Sequence, residues 1–154
     1  MLIIKSRANE PDTSLGVEIG GTRLAKEVVE AVFEYDLSPA VSSYKLSVIG
    51  HSLGGLYARY ALVQIMDALS CLHVEYVDFV TICTPHLAQE QQQEGVTDAD
   101  EIEPPRPLLE VMSDPDSEFI RSLKRFNHGT LVAMTDGDVV VPYPSASMRS
   151  YSPY

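Results

Sequence analysis

The sequence predicts an α/β fold with about four mostly parallel strands and helices on both faces, and three stretches carry that prediction. Residues 46–49 form an apolar, β-branched run of the kind that buries as a strand, and residues 53–69 have the length and periodicity of a helix. Residues 74–83 alternate and then turn continuously apolar, which reads as a second central strand ending at Thr84-Pro85-His86. A chain of 154 residues, 45% of them apolar, is one domain on length and has material for a core.

The other elements follow in order. Residues 2–6, Leu-Ile-Ile-Lys-Ser, begin as a strand with almost no lead-in. A loop with Asn9, Pro11, Asp12 and Gly16 comes next, and Thr22 caps a helix reaching about Tyr35. On it Leu24, Val28, Ala31, Val32 and Tyr35 share a face, so this amphipathic helix is expected to cover a sheet. Residues 16–21, rich in glycine, fit neither G-x-G-x-x-G nor the Walker pattern and read as a loop. Residues 37–43 connect through Pro39. The helix over 53–69 is apolar nearly all round, as suits a helix buried beside a sheet; Tyr57 and Tyr60 share a face and read as core, and Arg59 as an anchor for a loop or carboxylate. Residues 88–107 carry three successive glutamines, six acids and three prolines, a composition with little to bury, and read as a solvated acidic insertion. Ser117 caps a short helix to Phe126, with Phe119, Ile120, Leu123 and Phe126 inward and Gly129 as the stop, and residues 130–134 form the next strand.

Between the first central strand and its helix lies Gly50-His51-Ser52-Leu53-Gly54. This matches G-x-S-x-G, the nucleophile elbow, where a serine sits on a strained turn with its hydroxyl at the carboxyl edge of the sheet. At so tight a turn, side chains at Gly50 and Gly54 are expected to collide with their neighbours. The helix that starts after Ser52 directs free N–H groups and the positive end of its dipole at charge developing there, which makes the Leu53 N–H a natural oxyanion donor. His51, next to the serine, reads as packing. His86, beyond the carboxyl end of the second strand, has two open readings: a residue lining the site, or a histidine fixed by hydrogen bonds in a loop. After the strand at 130–134 come two acids, Asp136 and Asp138, either of which could serve as the carboxylate that orients a histidine; Asp136-Gly137 has the chemistry of a turn.

The net charge of −11 argues against a nucleic-acid partner and against electrostatic binding to anionic membranes, both of which need basic surface, but not against transient apolar contact with a lipid surface. Cys71 and Cys83 are too few for a disulfide framework. The N-terminus lacks the regions of a signal peptide and no apolar run reaches spanning length, so a cytoplasmic, soluble chain is expected.

Residues 50–61 (Gly-His-Ser-Leu-Gly-Gly-Leu-Tyr-Ala-Arg-Tyr-Ala), 80–87 (Val-Thr-Ile-Cys-Thr-Pro-His-Leu) and 138–143 (Asp-Val-Val-Val-Pro-Tyr) closely resemble the eukaryotic lipase-like serine esterase family of α/β-hydrolases. The likeness extends to residues 2–6 and 20–25 and omits residues 88–107. It implies a partial α/β-hydrolase domain over 1–154, hydrolysis of a carboxylic ester of the lipid acyl class, Ser52 as nucleophile and Asp138, three residues before Val141-Pro142, as the acid. Covalent catalysis of this kind needs neither metal nor organic cofactor.

The resemblance also implies pieces that the sequence lacks. The triad runs Ser, Asp, His, yet His51, His73, His86 and His128 all precede Asp138 and residues 139–154 contain no histidine. The family's His-Gly loop, source of a second oxyanion donor, would precede residue 1, and its strand would lie between those matched by 2–6 and 46–49. The expectation is an incomplete hydrolase, weakly active or inactive by itself. A catalytically silent remnant that binds acyl chains or a partner is one alternative, and acyl transfer by the same serine is another.

Overall fold

The computed structural model describes residues 2–10, 12–35, 43–87, 106–138 and 140–149. Its elements are α1 (Gly16–Glu34), β1 (Tyr44–His51), α2 (Leu53–Ala68), β2 (Val74–Ile82), α3 (Leu108–Ser113), α4 (Glu118–Leu123), β3 (His128–Val132) and α5 (Tyr143–Ser147). The three strands form one sheet in the order β1-β2-β3, both pairings parallel. This is a partial α/β fold. The acidic insertion falls at 88–105 outside the described residues, and so does the connection at 36–42.

The sheet gathers its core on one side. In β1 the side chains alternate, with Lys45, Ser47, Ile49 and His51 exposed and Leu46, Val48 and Gly50 turned inward. Strict alternation in β2 would separate Tyr76 from Phe79, but the register slips by one residue opposite the 46–48 stretch. That irregularity lets both rings face α2, where they meet Ala58, Leu62, Met66 and Phe126. Tyr76 and Phe79 each lie 5.5 Å from the Phe126 ring, at tilted and edge-on angles that aromatic quadrupoles favour.

Three expectations about the amino-terminal third change. Residues 2–6 belong to no strand; Leu2 and Ile3 are exposed, and Ser6 with the backbone of Arg7 and Ala8 is tethered instead to the Glu27 carboxylate on α1. Helix α1 starts at Gly16, six residues before Thr22, so the glycine-rich stretch is helical. The helix packs on α2, not on the sheet, its Ala25, Val28, Val29 and Val32 meeting Ala61, Ile65 and Leu69. The reason is steric: a Cβ on Gly20 would sit 2.4 Å from the Tyr57 ring and one on Gly21 2.6 Å from that of Tyr60. The two glycines admit the two tyrosines, of which Tyr57 is a core residue as expected and Tyr60 is half-buried beside Phe119, and close helix contact outweighs the helical cost of glycine, about 1 kcal/mol each.

Farther along, Ser117 does cap α4, its Oγ accepting from the Ile120 N–H at 3.2 Å. Helix α4 ends at Leu123, however, and Gly129 lies inside β3 instead of stopping a helix. Where four strands and two helical layers were expected, the described residues hold three strands, and no described helix covers the outer residues of β1: Ile49 is 73% exposed.

Candidate active site

Parallel strands bring their carboxyl ends to one edge, and that edge is where Ser52 lies, in the single residue between β1 and α2. Its dihedrals are φ 51° and ψ −129°, a conformation that a residue with a Cβ adopts only when its surroundings force it. Three contacts do so. The Ser52 N–H donates to the Ile82 carbonyl at 2.8 Å, while the Ser52 carbonyl accepts from the Gly55 N–H at 3.0 Å and from the Thr84 hydroxyl at 2.9 Å. Ser52 is half-buried, and among the described residues its Oγ makes no hydrogen bond, not even as a cap to its own helix. The backbone is clamped, while among the described residues the hydroxyl is not.

Glycines make the clamp possible, although not the pair expected. A Cβ on Gly50 would lie 2.5 Å from the Gly55 Cα, and one on Gly55 2.0 Å from the Thr84 Oγ1. At Gly54 a Cβ would meet nothing within 4 Å. The collision foreseen at Gly54 is therefore absent, and Gly55, which sequence reasoning passed over, carries that constraint.

Leu53 is the first residue of α2, so its N–H lies in the helical turn whose donors have no intrahelical acceptor. Asp138 sits beyond β3, half-buried, with Oδ1 accepting from the N–H groups of Val141 at 2.9 Å and Val140 at 3.0 Å. Those two bonds hold its carboxyl below the usual range. Asp136 is exposed beside Gly137, whose φ of 83° marks a turn.

The segment 82–84 thus ties the pieces together. Ile82 holds the Ser52 N–H, the Cys83 N–H donates to the Val132 carbonyl of β3 at 2.8 Å, and Thr84 holds the Ser52 carbonyl. Cys83 adopts φ 49°, a turn that lets consecutive residues bind the end of β3 and the Ser52 carbonyl. Sequence reasoning named neither Cys83 nor Thr84 as part of the site. The available signal was their position immediately beyond a central parallel strand.

The histidines divide by edge. His86 is completely buried: Arg59 Nη1 donates to its Nδ1 at 3.2 Å, which leaves Nε2–H to donate to the Thr81 hydroxyl at 2.7 Å. Of its two open readings, the geometry is that of a ring fixed by hydrogen bonds. Burial first, and then the Arg59 charge, push its pKa down to about 4. Arg59 does anchor a loop: it also donates to the carbonyls of His86 at 3.1 Å and Met112 at 2.7 Å, and burial lowers its pKa to about 10, so it stays charged. His73 precedes β2, and His128 opens β3, paired with Asp78 at 3.4 Å, so both belong to the opposite edge. His51 does not pack; it is exposed at the end of β1.

Among the described residues no cluster of three or more histidine, cysteine or carboxylate side chains could hold a metal ion, and no helix is long and apolar enough to cross a membrane. Residues 1–97 match the family model described as "Putative serine esterase (DUF676)". The chain is 28% identical over 167 residues to "Putative lipase ROG1" of Saccharomyces cerevisiae, an alignment covering 96% of this chain and 23% of that protein. It is 27% identical to "Putative lipase YDL109C" of the same yeast, over 96% of this chain and 25% of the relative. It is 28% identical to "Putative lipase C4A8.10" of Schizosaccharomyces pombe, over 68% and 16% respectively. No solved structure matches. The chain thus spans about a quarter or less of the length of these relatives. With its family model matched over residues 1–97, the chain belongs to the serine esterase family that this model describes.

Proposed function

We propose that the chain carries the nucleophile and acid of a serine carboxylic ester hydrolase, lipase-like, acting on acyl esters of lipids. The observation that supports this best is the backbone of Ser52: a non-glycine residue held at φ 51° between a parallel strand and a helix, with a hydroxyl that makes no cap bond to its own helix. Backbone strain of this size persists where a function needs the side chain presented.

In this reading the Ser52 Oγ attacks the ester carbonyl and its proton passes to an imidazole. The tetrahedral oxyanion is met by the Leu53 N–H, and the carbon–oxygen bond then breaks, the alcohol leaving with that proton. Water hydrolyses the acyl-serine by the reverse path. Asp138, kept ionised by its two backbone donors, orients the imidazole and stabilises its cation. The substrate class is suggested by the relatives' names, which call them lipases.

Residues 139–154 supply no histidine, and His86 is committed elsewhere, so imidazole from solution is the natural stand-in. Turnover of a p-nitrophenyl ester is expected to rise with imidazole concentration in wild type above the rise seen with Ser52→Ala. Identical rates for the two proteins at every concentration would overturn the proposal.

A further inference from the structure

We infer that Thr84 is a positioning residue for the oxyanion donor, an assignment that rests on the reading of Ser52 and Leu53 just given. The Ser52 carbonyl and the Leu53 N–H belong to one trans peptide unit, planar and stiff, in which the two groups point in opposite directions. Whatever fixes the oxygen aims the hydrogen. The oxygen is gripped by the Thr84 Oγ1 at 2.9 Å and the Gly55 N–H at 3.0 Å.

Thr84 is fully buried, so the oxygen is held toward the interior and the Leu53 N–H faces away from it. The space for Thr84 exists only because residue 55 is glycine, since a Cβ there would lie 2.0 Å from the hydroxyl. The Gly55 bond is local to the first turn of α2. The Thr84 bond comes from the end of β2 and ties that turn to the sheet. Preorganised donors act by being aligned before charge develops, so a freer peptide lowers transition-state stabilisation while leaving substrate binding alone.

The test compares wild type, Thr84→Val and Thr84→Ser in the full chain, with imidazole present. Valine keeps the shape and removes the donor; serine keeps the donor. Thr84→Val is expected to lose about tenfold in kcat with KM unchanged, short of the ~10²–10³ that follows deletion of an oxyanion donor, and Thr84→Ser to recover most of it. Equal kcat per folded molecule in wild type and Thr84→Val overturns the inference. A second readout needs no catalysis: the ¹⁵N residual dipolar coupling of the Leu53 N–H should change in Thr84→Val and hold in Thr84→Ser. An unchanged coupling in Thr84→Val overturns the assignment. Absence of Ser52-dependent turnover in wild type removes the ester-hydrolase reading alone, and the coupling still decides whether Thr84 aims the peptide. If Thr84→Val does not fold, Thr84→Cys, a weaker donor, takes its place with the same expected direction.

Discussion

Three glycines flank Ser52, and their surroundings assign them different tolerances. Gly50→Ala and Gly55→Ala drive a methyl into backbone or into Thr84, and each is expected to cost ~1–3 kcal/mol or more in urea denaturation. Gly54→Ala meets nothing and removes a poor helix former from the first turn of α2, so it should be neutral or slightly stabilising. The motif Gly50-His51-Ser52-Leu53-Gly54 was legible as a string, but which glycine is sterically required depends on Thr84, 29 residues past Gly55 and placed by a different strand. Local spacing carries no information about that neighbour. Arg59 is a parallel case. Its type and position suggested an anchor, but its partners, the carbonyls of His86 and Met112, become visible only once α3 is docked. Arg59→Ala strands both carbonyls and is expected to destabilise by about 3 kcal/mol, read from the denaturation midpoint.

Among elements, the buried ring of His86 joins the end of β2 to α2 and sets a pH dependence. Its pKa, about 4 when folded, is depressed from the ordinary 6.5, so between those values the unfolded chain binds the extra proton. The His86 contribution to stability is therefore complete above about pH 6.5 and lost as pH falls toward 4. The melting temperature should drop across that window, and His86→Gln should flatten the drop; a profile of equal steepness in the variant would contradict it. On α4, Ser117→Ala removes the cap on Ile120 and should cost ~1 kcal/mol in the same assay. The cap was readable because its donor lies three residues away. The start of α1 was not, because Gly20 and Gly21 are unfavourable in any isolated helix and are explained only by Tyr57 and Tyr60 on α2. Residues 2–6 show the converse: an apolar run with the pattern of a strand stays unpaired, since propensity without a neighbouring edge forms no ladder.

For the molecule as a whole, the α/β class and the parallel order follow from apolar runs that the sequence displays openly, whereas the one-sided core does not. Alternation in β1 marks two faces, and only packing tells which is covered. Among the described residues Ile49 stands uncovered at the free edge of the sheet, a setting that favours self-association. Ile49→Lys is expected to lower the sedimentation-detected aggregate without shifting the melting temperature. The candidate site follows the same division: Ser52, Leu53 and Asp138 come from a motif and a resemblance, while the segment at 82–84 that holds the Ser52 backbone against the sheet is a product of the sheet's geometry.

The most direct measurement is the site of covalent modification. After exposure to a fluorophosphonate with imidazole present, peptide mass spectrometry should find the phosphonyl adduct on Ser52 and nowhere else, and Asp138→Asn should slow its formation. A protein that stays unmodified under those conditions, or one modified at another serine, would contradict the assignment of Ser52 as the nucleophile.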